Sequence, residues 1–70
     1  MSAADAQARA ERLYGRAPAL QAAYVAGARA AMRLLPRGSN PYRSKRGFGP
    51  AFRQAWATGY DYVAAASDDE

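Results

Sequence analysis

At 70 residues and a formal charge of +4, half of them apolar, the chain suffices for one small domain and excludes a two-domain enzyme. Nineteen of the apolar residues are alanine, so with Met1 set aside fifteen larger side chains remain to build a core, which must rely on close helix packing or a partner. The absence of cysteine and histidine removes disulfides, thiolate nucleophiles, the usual zinc sites and imidazole catalysis.

Helix signals dominate from the start. Ser2 with Asp5 three residues on is a weak capping box, and residues 3–14 are rich in strong helix formers, with Gly15 placed to close the helix. Pro18 fits the first turn of a second helix over 18–35, stopped by Pro36. Within it Leu20, Tyr24, Gly27, Ala31 and Leu34 or Leu35 follow the three-and-four spacing of one face. Residues 36–49 carry two prolines, three glycines and the cations Arg37, Arg43, Lys45 and Arg46 without apolar periodicity, so they form a basic loop. Pro50 restarts a helix over 50–66 whose stripe is Phe52, Trp56, Gly59, Tyr60 and Val63. Residues 67–70 form an acidic tail.

The expected fold is therefore all-α: a small helical hairpin of two main helices joined by a basic loop, with an extra N-terminal helix, in a single small domain. The two main helices echo each other, since Ala23 to Gly27 and Ala55 to Gly59 both read Ala, aromatic, any residue, small, Gly. A mid-helix glycine costs roughly 1 kcal/mol relative to alanine. The matched pair predicts a close crossing in which each glycine receives the aromatic ring of the opposite helix, with approximate two-fold symmetry about a Tyr24–Trp56 contact.

From Arg9 to Arg53 there are ten positive residues against Glu11 alone, a net of +9 that matches the electrostatic footprint of a polyphosphate partner. Arg29, Arg33 and Arg37 are spaced by four, as one row running into the loop, and Arg9, Arg12 and Arg16 form a similar row. Like charges in such rows repel unless an anion meets them. In the loop, Arg37, Arg43, Lys45 and Arg46 flank Asn40-Pro41-Tyr42, with Arg53 on the next helix. Arginine offers bidentate contacts to phosphate, and Tyr42 could either stack on an unpaired base or fold back as a lid on the hairpin.

No catalytic constellation is present. None of the carboxylates Asp5, Glu11, Asp61 and the terminal cluster stands at i+3 or i+4 from another candidate on a face carrying the apolar stripe, Ser39 and Ser44 lack a histidine base, and Gly47-Phe48-Gly49 is too short for a phosphate-cradling loop. Neither a cofactor nor a metal is expected. The first dozen residues carry Asp5, Arg9, Glu11 and Arg12 and do not resemble a signal peptide, and the longest uncharged stretch, Ala17 to Ala28, is too short to span a bilayer. A cytoplasmic protein without membrane contact is the expectation.

The order Tyr24-Val25-Ala26-Gly27, a basic linker with Pro41-Tyr42, then Arg53-Gln54-Ala55-Trp56-Ala57-Thr58-Gly59-Tyr60 resembles the small bacterial ribosome modulation factor family over Gln21 to Tyr60. That resemblance implies a two-helix protein on the small ribosomal subunit near the 3′ end of its rRNA, blocking the message path and promoting inactive ribosome dimers during hibernation. Under it, Tyr42, Arg37, Arg43, Lys45 and Arg46 become rRNA-facing candidates, joined by Arg53, Arg29 and Arg33 from the charge pattern. Tyr24, Gly27, Trp56, Gly59 and Tyr60, with Phe52 from the stripe, become the packing signature. The chain departs from the family in its alanine-rich N-terminal helix of mixed charge, its longer linker and its acidic end. A phage or mobile-element protein could use the same hairpin to bind and inhibit a single host protein, which is the alternative function. A self-associating helical bundle is a third, and the sequence leaves the oligomeric state open.

Overall fold

Three α-helices and two single-turn 3-10 helices make up the computed structural model, which describes residues 3–43 and 49–68, and no strand occurs among them. Helix α1 spans Ala3–Leu13, α2 spans Pro18–Met32 and α3 spans Pro50–Asp68, with the 3-10 turns at Arg37–Ser39 and Pro41–Arg43. The chain is all-α.

Prolines open two of these helices. Pro18 follows the N-cap Ala17, whose carbonyl accepts from Leu20 and Gln21, and Pro50 follows Gly49, whose carbonyl accepts from Phe52. A fixed φ and a missing N–H suit proline to this first turn. The turn between α1 and α2 is clamped by the Gln21 side-chain amide, which donates to the Tyr14 carbonyl at 2.8 Å. In α1, Asp5 in the first turn and Arg12 in the last both complement the helix dipole. Ser2 lies outside the described residues.

Helix α2 ends three residues before the point that Pro36 predicts. Leu34 takes φ 60°, the Leu34 N–H donates to Ala31 and the Leu35 N–H donates to Ala30. Those two bonds close a Schellman motif with leucine at the left-handed position that glycine usually fills. A β-carbon there costs about 1 kcal/mol. Leu34 is 90% exposed and Leu35 is also exposed, so neither completes the stripe begun by Leu20 and Tyr24. At the other end, α1 stops at Leu13 and α3 runs on through Ser67 and Asp68, into the segment expected as an acidic tail.

The two main helices cross where the glycine echo predicted, by a different contact. A β-carbon on Gly27 would collide with the Trp56 carbonyl oxygen, and one on Gly59 would collide with that of Tyr24. Each notch thus holds the opposite main chain rather than an aromatic ring. The pairs 24 with 59 and 27 with 56 run in opposite senses along the helices, so α2 and α3 are antiparallel, with the approximate two-fold relation intact.

The two rings have different partners. Tyr24, 0% exposed, centres the core with Ala6 and Ala10 of α1, Val25, Ala28 and Ala31 of α2 and Val63 of α3. Its ring lies 6.1 Å from that of Tyr14. Trp56 is 2% exposed and stacks on Tyr60 at 5.3 Å. Burying such a ring is worth roughly 3 kcal/mol, and the alanines around Tyr24 let the helices close on it.

Candidate nucleic-acid interface

The described part of the basic loop, residues 36–43, is tied to α3. Tyr60, half-buried, donates its hydroxyl to the Leu35 carbonyl at 2.6 Å, fixing the loop where α2 ends. Pro36 enters in extended backbone, and its carbonyl accepts both the Ser39 N–H and the Ser39 hydroxyl, which closes the first 3-10 turn. Asn40, 7% exposed, is the one buried polar residue among the described positions. Its Nδ2 donates to the Arg53 carbonyl at 3.1 Å and its Oδ1 accepts the Tyr42 N–H at 3.0 Å. The second bond is an Asx turn, and Pro41 fixes the residue between. Tyr42 is half-buried with its ring 5.7 Å from Phe52, so it folds onto α3.

These ties place three arginines around one open pocket of about 490 Å³. Arg37 comes from the first 3-10 turn, Arg43 from the second and Arg53 from α3, with Gly38, Asn40, Pro50, Gln54 and Ala57 completing the wall. Among the described residues no carboxylate lines it. At the rim, the Arg37 Nη2 donates to the Asp61 Oδ2 at 2.8 Å, while the Arg43 Nη1 donates to the Gly38 carbonyl at 3.3 Å. The Arg37–Asp61 side chains are 62% and 54% exposed, so water screens the pair and its net worth stays below about 1 kcal/mol.

Arg29 and Arg33 fall elsewhere. Because α2 stops at Met32, the predicted row through Arg29, Arg33 and Arg37 is broken, and Arg37 turns to Asp61 on α3. Arg29 and Arg33 instead edge a second cavity of about 470 Å³, over an apolar wall that includes Val25, Ala26, Ala30 and Leu35. The row through Arg9 is also broken up: the Arg9 guanidinium carbon sits 4.2 Å over the Tyr62 ring, half-buried, whereas Arg12 and Arg16 are exposed. Lys45 and Arg46, like Ser44 and Phe48, lie outside the described residues.

Beneath Arg9, the Tyr24 hydroxyl and the Arg9 Nε are buried without a well-formed hydrogen bond. Burial raises the Tyr24 pKa, and the nearby Arg9 charge opposes that rise. Among the described residues no group of three or more Asp or Glu side chains could hold a metal ion. No helix among them is long and apolar enough to cross a membrane.

The arginines and aromatics stand out in the sequence by residue type and spacing, whereas the residues that organise them do not. Asn40 carries the loop, and the one available signal was its place before Pro41, where an Asx turn is favoured. Asp61 and Tyr62 gave no signal, because their partners Arg37 and Arg9 are 24 and 53 residues away in the chain. Compared with known proteins, the chain matches no protein family, no curated protein and no solved structure.

Proposed function

We propose that this protein is a non-enzymatic RNA-binding factor that associates with the small ribosomal subunit and represses translation, as its resemblance to the ribosome modulation factor family implies. The observation that carries this reading is that Arg37, Arg43 and Arg53, from three separate elements, line one open pocket with no carboxylate among the described residues of its wall. Guanidinium groups grouped in this way recognise phosphate oxygens in the plane of their paired N–H donors. The loop's ties through Asn40 and Tyr60 hold the cations in place before any ligand arrives, which lowers the ordering cost of binding. A cytoplasmic location follows from the same reading.

Co-sedimentation with purified small subunits tests it. Three phosphate contacts should make log affinity fall with log salt at a slope of about −2 for single-stranded RNA. Absence of co-sedimentation even at low salt would remove the ribosome from the proposal.

One observation favours a second reading, a protein-binding inhibitor of a single host protein. Leu34 stands 90% exposed in a conformation that leucine rarely adopts, next to Leu35, which lines the Arg29 and Arg33 cavity. A stoichiometric protein partner whose capture resists nuclease would support this reading over the first.

A further inference from the structure

We propose that the pocket between the 3-10 turns and α3 is a subsite for one phosphate group of an RNA backbone, and that Asp61 is its built-in competitor. The inference rests on the RNA reading of that pocket and adds to it a ligand group and a control.

Two features set this pocket apart from the rest of the basic surface. Its three arginines come from three elements and line one wall, so a single tetrahedral anion seated there can draw on more than one of them by side-chain rotation. Arg29 and Arg33, by contrast, sit in the last turn and at the C-cap of α2 over an apolar wall, an arrangement suited to screening charge rather than enclosing an ion. Within the phosphate pocket the wall adds neutral polar groups, Asn40 and Gln54, and no negative charge among the described residues.

Asp61 enters from outside the wall. It holds Arg37 by a single contact, Nη2 to Oδ2 at 2.8 Å, which leaves the guanidinium's remaining donors for another acceptor. A phosphate on Arg37 brings its charge close to that carboxylate, so the two anions repel whether Arg37 stays or swings inward. The exposed pair is weak enough for a phosphate with further contacts at Arg43 and Arg53 to displace. Free inorganic phosphate has no neighbouring phosphates to add to the competition. Asp61 therefore sets a threshold that favours a polynucleotide over a lone anion.

The test titrates the full chain with inorganic phosphate and with single-stranded hexauridylate while following backbone amide signals by NMR. Both probes are expected to shift Gly38, Arg53 and Gln54, with hexauridylate the tighter. Asp61→Asn should tighten phosphate about fivefold and narrow the gap between the two probes. Arg53→Gln should weaken both probes at least fivefold, and circular dichroism of each variant confirms that the helices are intact. Weaker phosphate binding in Asp61→Asn would overturn the competitor role, because Asp61 would then be positioning Arg37. Shifts spread equally over Arg29 and Arg33 would overturn the subsite by showing diffuse charge. Hexauridylate seated in the pocket without co-sedimentation upholds the subsite and removes the ribosome, whereas co-sedimentation without either probe in the pocket overturns the subsite alone.

Discussion

Gly27 faces the main chain of Trp56, whose carbonyl carbon would stand 2.7 Å from a β-carbon on that glycine; Gly59 faces Tyr24 in the same way, at 2.9 Å. Main chain cannot rotate aside as a side-chain tip can, so either glycine can accept a methyl group only if α2 and α3 move apart. Gly27→Ala and Gly59→Ala gain up to about 1 kcal/mol of helix propensity and still lose overall, because overfilling this crossing costs more. Each should lower stability by about 2 kcal/mol or more, a fall in Tm of roughly 10 °C for a domain of this size. The near-symmetry predicts similar losses for the two. Gly49→Ala, with nothing among the described residues within 4 Å of the added carbon, is the control and should change Tm far less.

Leu34→Gly should have the opposite sign. The side chain is 90% exposed and contributes little burial, while φ 60° is a conformation glycine adopts without strain. A gain of about 0.5 to 1 kcal/mol is expected in urea denaturation. Salt-dependent RNA binding should be unaltered by this change, since Leu34 does not line the arginine pocket.

How far the sequence could be read follows from the range of each interaction. Helix faces repeat every three or four residues, so the stripes of α2 and α3 and the matched glycines were visible locally. What fills each notch depends on the partner helix's rotation, and the expected rings gave way to main chain. Pro36 predicts the end of α2, yet the reversal at Leu34 precedes it, because Schellman bonds to Ala30 and Ala31 satisfy the last carbonyls earlier. That early stop is also why one expected row of arginines became two separate groups. Asn40 and Asp61 act across 13 and 24 residues, beyond any local pattern.

Asn40→Ala should separate loop order from loop charge. It removes the bonds to the Arg53 carbonyl and the Tyr42 N–H without altering net charge. The loss of stability should be about 1 to 2 kcal/mol. RNA affinity should fall severalfold with the salt slope nearly unchanged, because the cations remain but are no longer held in place. Equal affinity for the variant and the parent would show that the loop's fixed geometry contributes nothing to binding.

Tyr24→Phe tests the orphaned hydroxyl. Removing a buried polar atom that lacks a good partner should be neutral or slightly stabilising at pH 7. Burial raises the folded-state pKa above the ordinary tyrosine value of 10.0, so the neutral phenol is favoured in the folded state. The associated stability is fully present below pH 10.0 and is lost as pH rises through the folded pKa. Urea midpoints measured between neutral and strongly alkaline pH should therefore fall more steeply in the parent than in Tyr24→Phe.

The division of the arginines into two groups predicts unequal consequences for binding. Replacing Arg37, Arg43 and Arg53 together by Gln removes every cation that the described residues bring to the loop pocket, and each lost phosphate contact should lower the salt slope by about 0.7. Affinity for small subunits should drop at least about a hundredfold, since each charged hydrogen bond contributes roughly 1.5 kcal/mol or more. The pair Arg29→Gln and Arg33→Gln removes charge from a different cavity and should weaken binding less than about tenfold, through long-range attraction alone. Sedimentation of both variants at two salt concentrations decides the matter. Equal losses would mean that RNA also covers the outer face of α2, and the loop pocket would lose its claim to be the principal contact.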